Sequence, residues 1–148
     1  MPTNKIGHSF SLDSGAVVGI VGLGYVGLPT AIGFHASGFE VWGCDKSLNV
    51  IDALESGLNP VGDHELDSMI PPYGTRGWNL SNSVEKIAPL CDVILVTVPT
   101  PITSELKPDL SHILDAGDKI FSSIDKSNHT TIVLESTVYP GVTNQVWR

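Results

Sequence analysis

The chain has 148 residues, with 16 acidic against 8 basic side chains, a formal net charge of −8 and 41% hydrophobic content. These values fit one globular domain and exclude a disordered chain. The acidic balance argues against nucleic acid as a general partner, because neutralising phosphates needs clustered Lys and Arg. It leaves room for a small phosphate-bearing ligand, which backbone N–H groups and a helix dipole can hold without net positive charge. No run approaches the ~18–20 apolar residues of a membrane span, and no signal-peptide apolar region opens the chain. Cys44 and Cys91 are the only cysteines. They are too few for a disulfide framework, which makes a reducing cytoplasm the simpler reading.

In chain order, residues 1–15 are polar and unpatterned and read as a flexible leader. The domain is expected from residue 16 to residue 148. Ala16 to Val21 is a short apolar run rich in β-branched residues, as for a strand buried on both faces. After a glycine-rich turn, Leu28 to Ser37 is a predicted helix with Pro29 in its first turn and Gly38 as its stop. Phe39 to Asp45 reads as a second strand that ends in an acid. Ser47 is placed to cap a second helix, in which Val50, Ile51 and Leu54 share a face and which Gly57 ends. From Asn59 to Gly77 the only signal is a weak helical one around His64 to Ile70. Trp78 to Ser81 gives a short third strand, Ser83 to Ala88 a short helix before Pro89, and Asp92 to Val98 the clearest strand, halted by Pro99 and Pro101. Leu110, Ile113, Leu114, Gly117, Ile120, Phe121 and Ile124 follow helical spacing for almost four turns. Thr130 to Glu135 is a final strand, and Pro140-Gly141 opens a helix. Strands alternating with helices predict an α/β, Rossmann-type doubly wound parallel sheet. With the last residue falling inside a helix, that sheet is expected to be truncated before its last strand.

The chemistry centres on Gly22-Leu23-Gly24-Tyr25-Val26-Gly27. Alone, this GxGxxG pattern is a weak signal. Here it follows a buried-type strand and opens a helix, and Asp45 ends the next strand 18 residues after Gly27. Gly22 would permit the tight turn, Gly24 would let the backbone approach a pyrophosphate, and Gly27 would let the helix pack closely. The pyrophosphate would sit at the helix N-terminus. Asp45 would accept hydrogen bonds from the adenosine ribose and repel a 2′-phosphate, which favours NAD over NADP. Lys46 beside it weakens that preference slightly. An S-adenosylmethionine-binding sheet shares a glycine turn and a strand-end acid, but the third glycine at the helix entry favours the dinucleotide. The five histidines, His8, His35, His64, His112 and His129, show no metal-ligand spacing, so no metal is expected.

From about Val17 to Val146 the chain resembles the NAD-binding domain of the UDP-glucose/GDP-mannose dehydrogenase family. The resemblance rests on three separated motifs: the phosphate turn Gly22 to Pro29, Val98-Pro99-Thr100-Pro101 followed by Pro108-Asp109-Leu110-Ser111, and Glu135-Ser136-Thr137-Val138-Tyr139-Pro140-Gly141. The last is most similar to members that oxidise UDP-N-acetylhexosamines. The resemblance implies a nucleotide-sugar dehydrogenase that oxidises the sugar C6 alcohol to a carboxylate with two NAD, as members do for surface polysaccharides. It implies that Pro99 and Thr100 border the nicotinamide and that Thr137 holds the catalytic water. Thr137 is equally readable as a helix N-cap before Pro140. A full-length member would bind its nucleotide sugar through a separate domain, absent here together with the central helix, and would pair as a homodimer. Val50 stands where the family often has an arginine near the adenine, which leaves Lys46 as the nearby cation. The family's cysteine nucleophile, in a Cys-Pro-Lys-Asp setting, has no counterpart, since Cys44 lies in a strand and Cys91 precedes one. The isolated chain is therefore expected to be inactive. The rival readings are a truncated, non-catalytic nucleotide-binding or interaction module and a different NAD-dependent dehydrogenase with a similar N-terminal fold.

Overall fold

In the computed structural model, residues 15–138 and 140–147 are described. The proposed leader, apart from Gly15, lies outside them. The strands are β1 (Val17–Val21), β2 (Glu40–Cys44), β3 (Trp78–Ser81), β4 (Val93–Val96) and β5 (Thr131–Leu134). They form one parallel sheet in the order β3-β2-β1-β4-β5. The helices are α1 (Gly27–Ala36), α2 (Leu48–Glu55), α3 (Val84–Ile87), α4 (Ser111–Ser123) and α5 (Val142–Val146).

Strand alternation divides the core. Val18 and Ile20 of β1, Val41 of β2 and Val93 and Leu95 of β4 pack with Leu28, Ala31 and Ile32 of α1 and Ile51 and Leu54 of α2. Val21, Ile94 and Val96 point to the other face and meet Ile87 of α3 and Ala116 and Ile120 of α4. Fully burying one such aliphatic side chain contributes about 1.5–3 kcal/mol, so both faces of the central strands are stabilised. The chain passes from β3 through α3 to β4 on the far side of β1. That change of winding direction opens a crevice at the carboxyl ends of β1 and β4, where open α/β sheets bind ligands.

Several local expectations change. Ser47 precedes α2 but makes no side-chain cap; its N–H donates to Asp45 Oδ1 at 2.9 Å, and its carbonyl accepts the Val50 N–H at 3.1 Å. The His64–Ile70 signal condenses to a single 3-10 turn, His64–Leu66, capped by the Asp63 carboxylate on the Glu65 N–H. Pro89 does not end the helical segment: it lies in the first turn of a 3-10 continuation, Ala88–Leu90, where proline lacks no needed donor. β4 stops at Val96, and Thr97 and Val98 belong to the loop beyond it. β5 stands at the edge of the sheet, so its exposure alternates where a doubly buried strand would be covered throughout.

Candidate functional site

The turn after β1 is shaped by what its glycines touch. Gly22 has φ +99°, and a Cβ there would lie 2.9 Å from the Thr97 carbonyl oxygen, so glycine is required on both counts. Gly24 faces open space with no atom within 4 Å of its Cβ position, and it lines a cleft of about 480 Å³. Gly27 is the first residue of α1, and a Cβ there would collide with the Gly22 carbonyl oxygen. The close approach that excludes a side chain is therefore made by the turn's own carbonyl.

α1 begins without a side-chain cap. The N–H groups of Gly24, Tyr25 and Val26 have no acceptor among the described residues. Unpaired donors at a helix N-terminus, beside a surface that a Cβ would fill, are what a pyrophosphate needs. Four carboxylates (Asp45, Glu85, Asp115, Glu135) and two lysines (Lys46, Lys119) line the cleft among the described residues. The lining side chains carry a net negative balance, so an anion at this turn would be held by backbone N–H groups.

Asp45 follows β2 and is half-buried in the cleft wall. Its Oδ2 accepts the Leu23 N–H at 2.9 Å and its Oδ1 accepts the Ser47 N–H at 2.9 Å. Each oxygen keeps a lone pair for a further donor. Leu23 itself is 1% exposed. Its side chain packs toward Gly43, where an added Cβ would lie 3.2 Å from Leu23 Cδ1, so only its backbone serves the site. Tyr25 and Val26 are exposed at the mouth of the cleft. Lys46 Nζ lies 3.3 Å from His112 Nδ1, bridging the end of β2 to the first turn of α4.

The loops after β4 and β5 are tied together. Ser136 Oγ donates to the Val98 carbonyl at 2.7 Å, and Thr100 Oγ1 donates to the Thr137 carbonyl at 2.9 Å. Pro99, Thr100 and Thr137 consequently share one wall of the cleft. Thr137 does not cap α5; that position is Gly141, at φ +95°. The Thr137 hydroxyl has no partner among the described residues.

The far lobe of the cleft lies between α3 and α4, a contribution the strand-end motifs do not announce. Val84 and Ala116 line it, with Glu85, Asp115 and Lys119 around them. Lys119 donates to Asp115 at 2.8 Å, one helical turn away, and that bond raises its pKa. Glu85 titrates below its usual range because its own backbone N–H and the Ser83 hydroxyl hydrogen-bond its carboxylate. The polar residues of α4 appear in sequence only as the complement of its apolar stripe.

Both cysteines are buried, and burial pushes each thiol up to about 12. The neighbouring Asp45 adds to the rise for Cys44, and Asp92 adds to it for Cys91. Neither is a thiolate near neutrality, so neither is an activated nucleophile. No group of three or more His, Cys, Asp or Glu side chains suited to a metal occurs among the described residues.

A doubly wound parallel sheet with this turn, strand-end acid and cleft defines a dinucleotide-binding domain. The UDP-glucose/GDP-mannose dehydrogenase family, NAD binding domain, matches residues 16–148. The chain belongs to this family, and its cofactor is NAD. It is 34% identical over 139 residues to the UDP-N-acetyl-D-glucosamine 6-dehydrogenase of Salmonella typhi, covering 92% of this chain and 30% of that protein. To the UDP-N-acetyl-D-mannosamine dehydrogenase of Pyrococcus horikoshii it is 32% identical over 132 residues, covering 88% and 31%. A ternary complex of GDP-mannose dehydrogenase from Pseudomonas aeruginosa superposes with a TM-score of 0.80 at 32% identity, over 87% of this chain and 30% of that one. The chain thus spans about three-tenths of the length of these relatives.

Proposed function

We propose that this chain is the oxidant-binding part of a nucleotide-sugar 6-dehydrogenase acting on a UDP-sugar, specifically a UDP-N-acetylhexosamine. The observation that carries the reading is the convergence of the glycine turn, Asp45 and the loops bearing Pro99, Thr100 and Thr137 on one cleft. The sugar class is supported by the Glu135 to Gly141 wording and by the substrates named for the relatives. Bound NAD supplies the hydride acceptor. The N–H groups of Gly24 to Val26 hold its pyrophosphate and Asp45 its adenosine ribose, while Pro99 and Thr100 border the nicotinamide.

Oxidising an alcohol to a carboxylate removes two hydrides and adds one oxygen from water, so the second half of the reaction needs an oriented water. Thr100 already donates to the Thr137 carbonyl, which leaves the Thr137 hydroxyl to hold that water. The sugar is bound, and the covalent chemistry performed, by parts of a longer homodimeric enzyme. With both thiols held protonated, these 148 residues bind NAD and do not oxidise a sugar alone.

Calorimetric titration tests the reading. NAD should bind the wild-type chain more tightly than NADP, and Asp45→Ala should weaken NAD binding. Equal NAD affinity in wild type and Asp45→Ala would defeat the site assignment. NADH formation from UDP-N-acetylglucosamine or UDP-N-acetylmannosamine by this chain alone would defeat the division of labour.

A further inference from the structure

The peptide group joining Gly22 to Leu23 is gripped at both ends. Its carbonyl oxygen accepts the Thr97 hydroxyl at 2.7 Å, and its N–H donates to Asp45 Oδ2 at 2.9 Å. In a trans peptide these groups point in opposite directions. The grips accordingly come from opposite sides, Asp45 at the end of β2 and Thr97 at the end of β4, the two strands flanking β1.

Thr97 is 9% exposed and is the one polar side chain in the buried class among the described residues. Its N–H continues the ladder to the Val21 carbonyl at 2.9 Å, and its hydroxyl lies 3.1 Å from that same oxygen. No other donor reaches the Gly22 carbonyl among the described residues. The third member of the cluster is Gly27, whose absent Cβ would lie 2.5 Å from Thr97 Oγ1.

We infer that Thr97 is a positioning residue for the cofactor. By fixing the Gly22–Leu23 peptide in one orientation, it aims the N–H groups of Gly24 to Val26 into the cleft and keeps the Leu23 N–H on Asp45. Glycine accepts either sign of φ, so this is the peptide of the turn most easily rotated when unheld. Removing the hydroxyl therefore loosens the phosphate cradle and the ribose carboxylate together, through one peptide plane. The inference rests on the proposed placement of the pyrophosphate on this turn.

The test compares Thr97→Val, which keeps the shape and loses the donor, with Thr97→Ser, which keeps the donor, in the full chain. Two quantities are read: NAD affinity by calorimetry, and amide hydrogen exchange at Leu23 in the absence of ligand. Loss of one such hydrogen bond predicts NAD binding about tenfold weaker and Leu23 exchange about tenfold faster in Thr97→Val. Amides within β1, β4 and α1 should exchange as in wild type, and Thr97→Ser should behave as wild type in both measurements. Wild-type NAD uptake with an unchanged Thr97→Val variant overturns the inference alone. Exchange that quickens uniformly across the sheet also overturns it, because Thr97 would then be an ordinary core residue. A wild-type chain that takes up no NAD overturns the cofactor-site reading, and the inference falls with it.

Discussion

Gly24 and Gly27, three residues apart in the same turn, should fail in opposite ways when each receives a single methyl group. In Gly27→Ala the new carbon meets the Gly22 carbonyl oxygen, the Thr97 hydroxyl at 2.5 Å and the Gly22 carbonyl carbon at 2.9 Å. The nearest and the third of these are backbone atoms that no rotamer change can move, so α1 must shift away from β1 and β4. Overpacking of this kind costs about 1–3 kcal/mol, and because the nearest contact is backbone the upper half of that range applies. For a domain of this size the melting temperature should fall by about 6–10 °C. Gly24→Ala meets no atom within 4 Å, and its Tm should stay within about 2 °C of wild type. Its methyl would stand instead in the proposed phosphate cradle, so NAD affinity should drop about tenfold or more. Differential scanning fluorimetry and calorimetric titration on the two variants separate the effects. Wild-type stability in Gly27→Ala, or lost stability with intact NAD binding in Gly24→Ala, would refute the assignment of the two glycines.

Gly33 sits exposed within α1 with nothing within 4 Å of a Cβ. Gly33→Ala should therefore stabilise the fold by about 0.5–1 kcal/mol in a denaturant titration without changing NAD affinity. The thiols make an alkaline prediction. Folding raises Cys44 and Cys91 from 9.0 to about 12, so the folded state binds more protons than the unfolded chain between those values. The stability they contribute is fully present below about pH 9 and is lost as pH rises toward 12. The decline in Tm across that window should be shallower in a Cys44→Ala/Cys91→Ala variant than in wild type; parallel curves would contradict it. At pH 8, a thiol reagent should label neither cysteine in the folded chain and both in denaturant.

What the sequence revealed was what is encoded by neighbours in the chain. The β-branched run before Gly22, the proline and glycine at the ends of α1, and the apolar stripe of α4 each specify an element locally, and all stand in the structure. Asn59 to Gly77 is opaque because its order depends on distant partners: Leu66, 6% exposed, joins the buried cluster that holds Trp78 and residues of α1 and α2. Ser47 has the residue type of a cap, yet the N–H groups of Val50 and Ile51 bond to its backbone carbonyl and its hydroxyl makes no cap. The bond from Asp45 to the Leu23 N–H of the glycine turn is likewise invisible in the sequence, because it joins residues 22 positions apart.

Thr97 marks the boundary of what could be read. Between Val96 and Val98 a threonine is an ordinary β-former, and nothing nearby announces that its hydroxyl seeks a carbonyl 75 residues upstream. That partnership exists only once β4 is known to lie beside β1, a pairing set by the crossover from β3 and invisible to any local pattern. The glycine turn shows the consequence. Its glycines record where side chains are excluded, but the orientation of its N–H groups is imposed from β2 and β4. A GxGxxG hexamer without that pair of flanking strands would keep the spacing and lose the grip on the Gly22–Leu23 peptide, which is a physical reason why the hexamer alone is a weak signal and the hexamer within this sheet is a site.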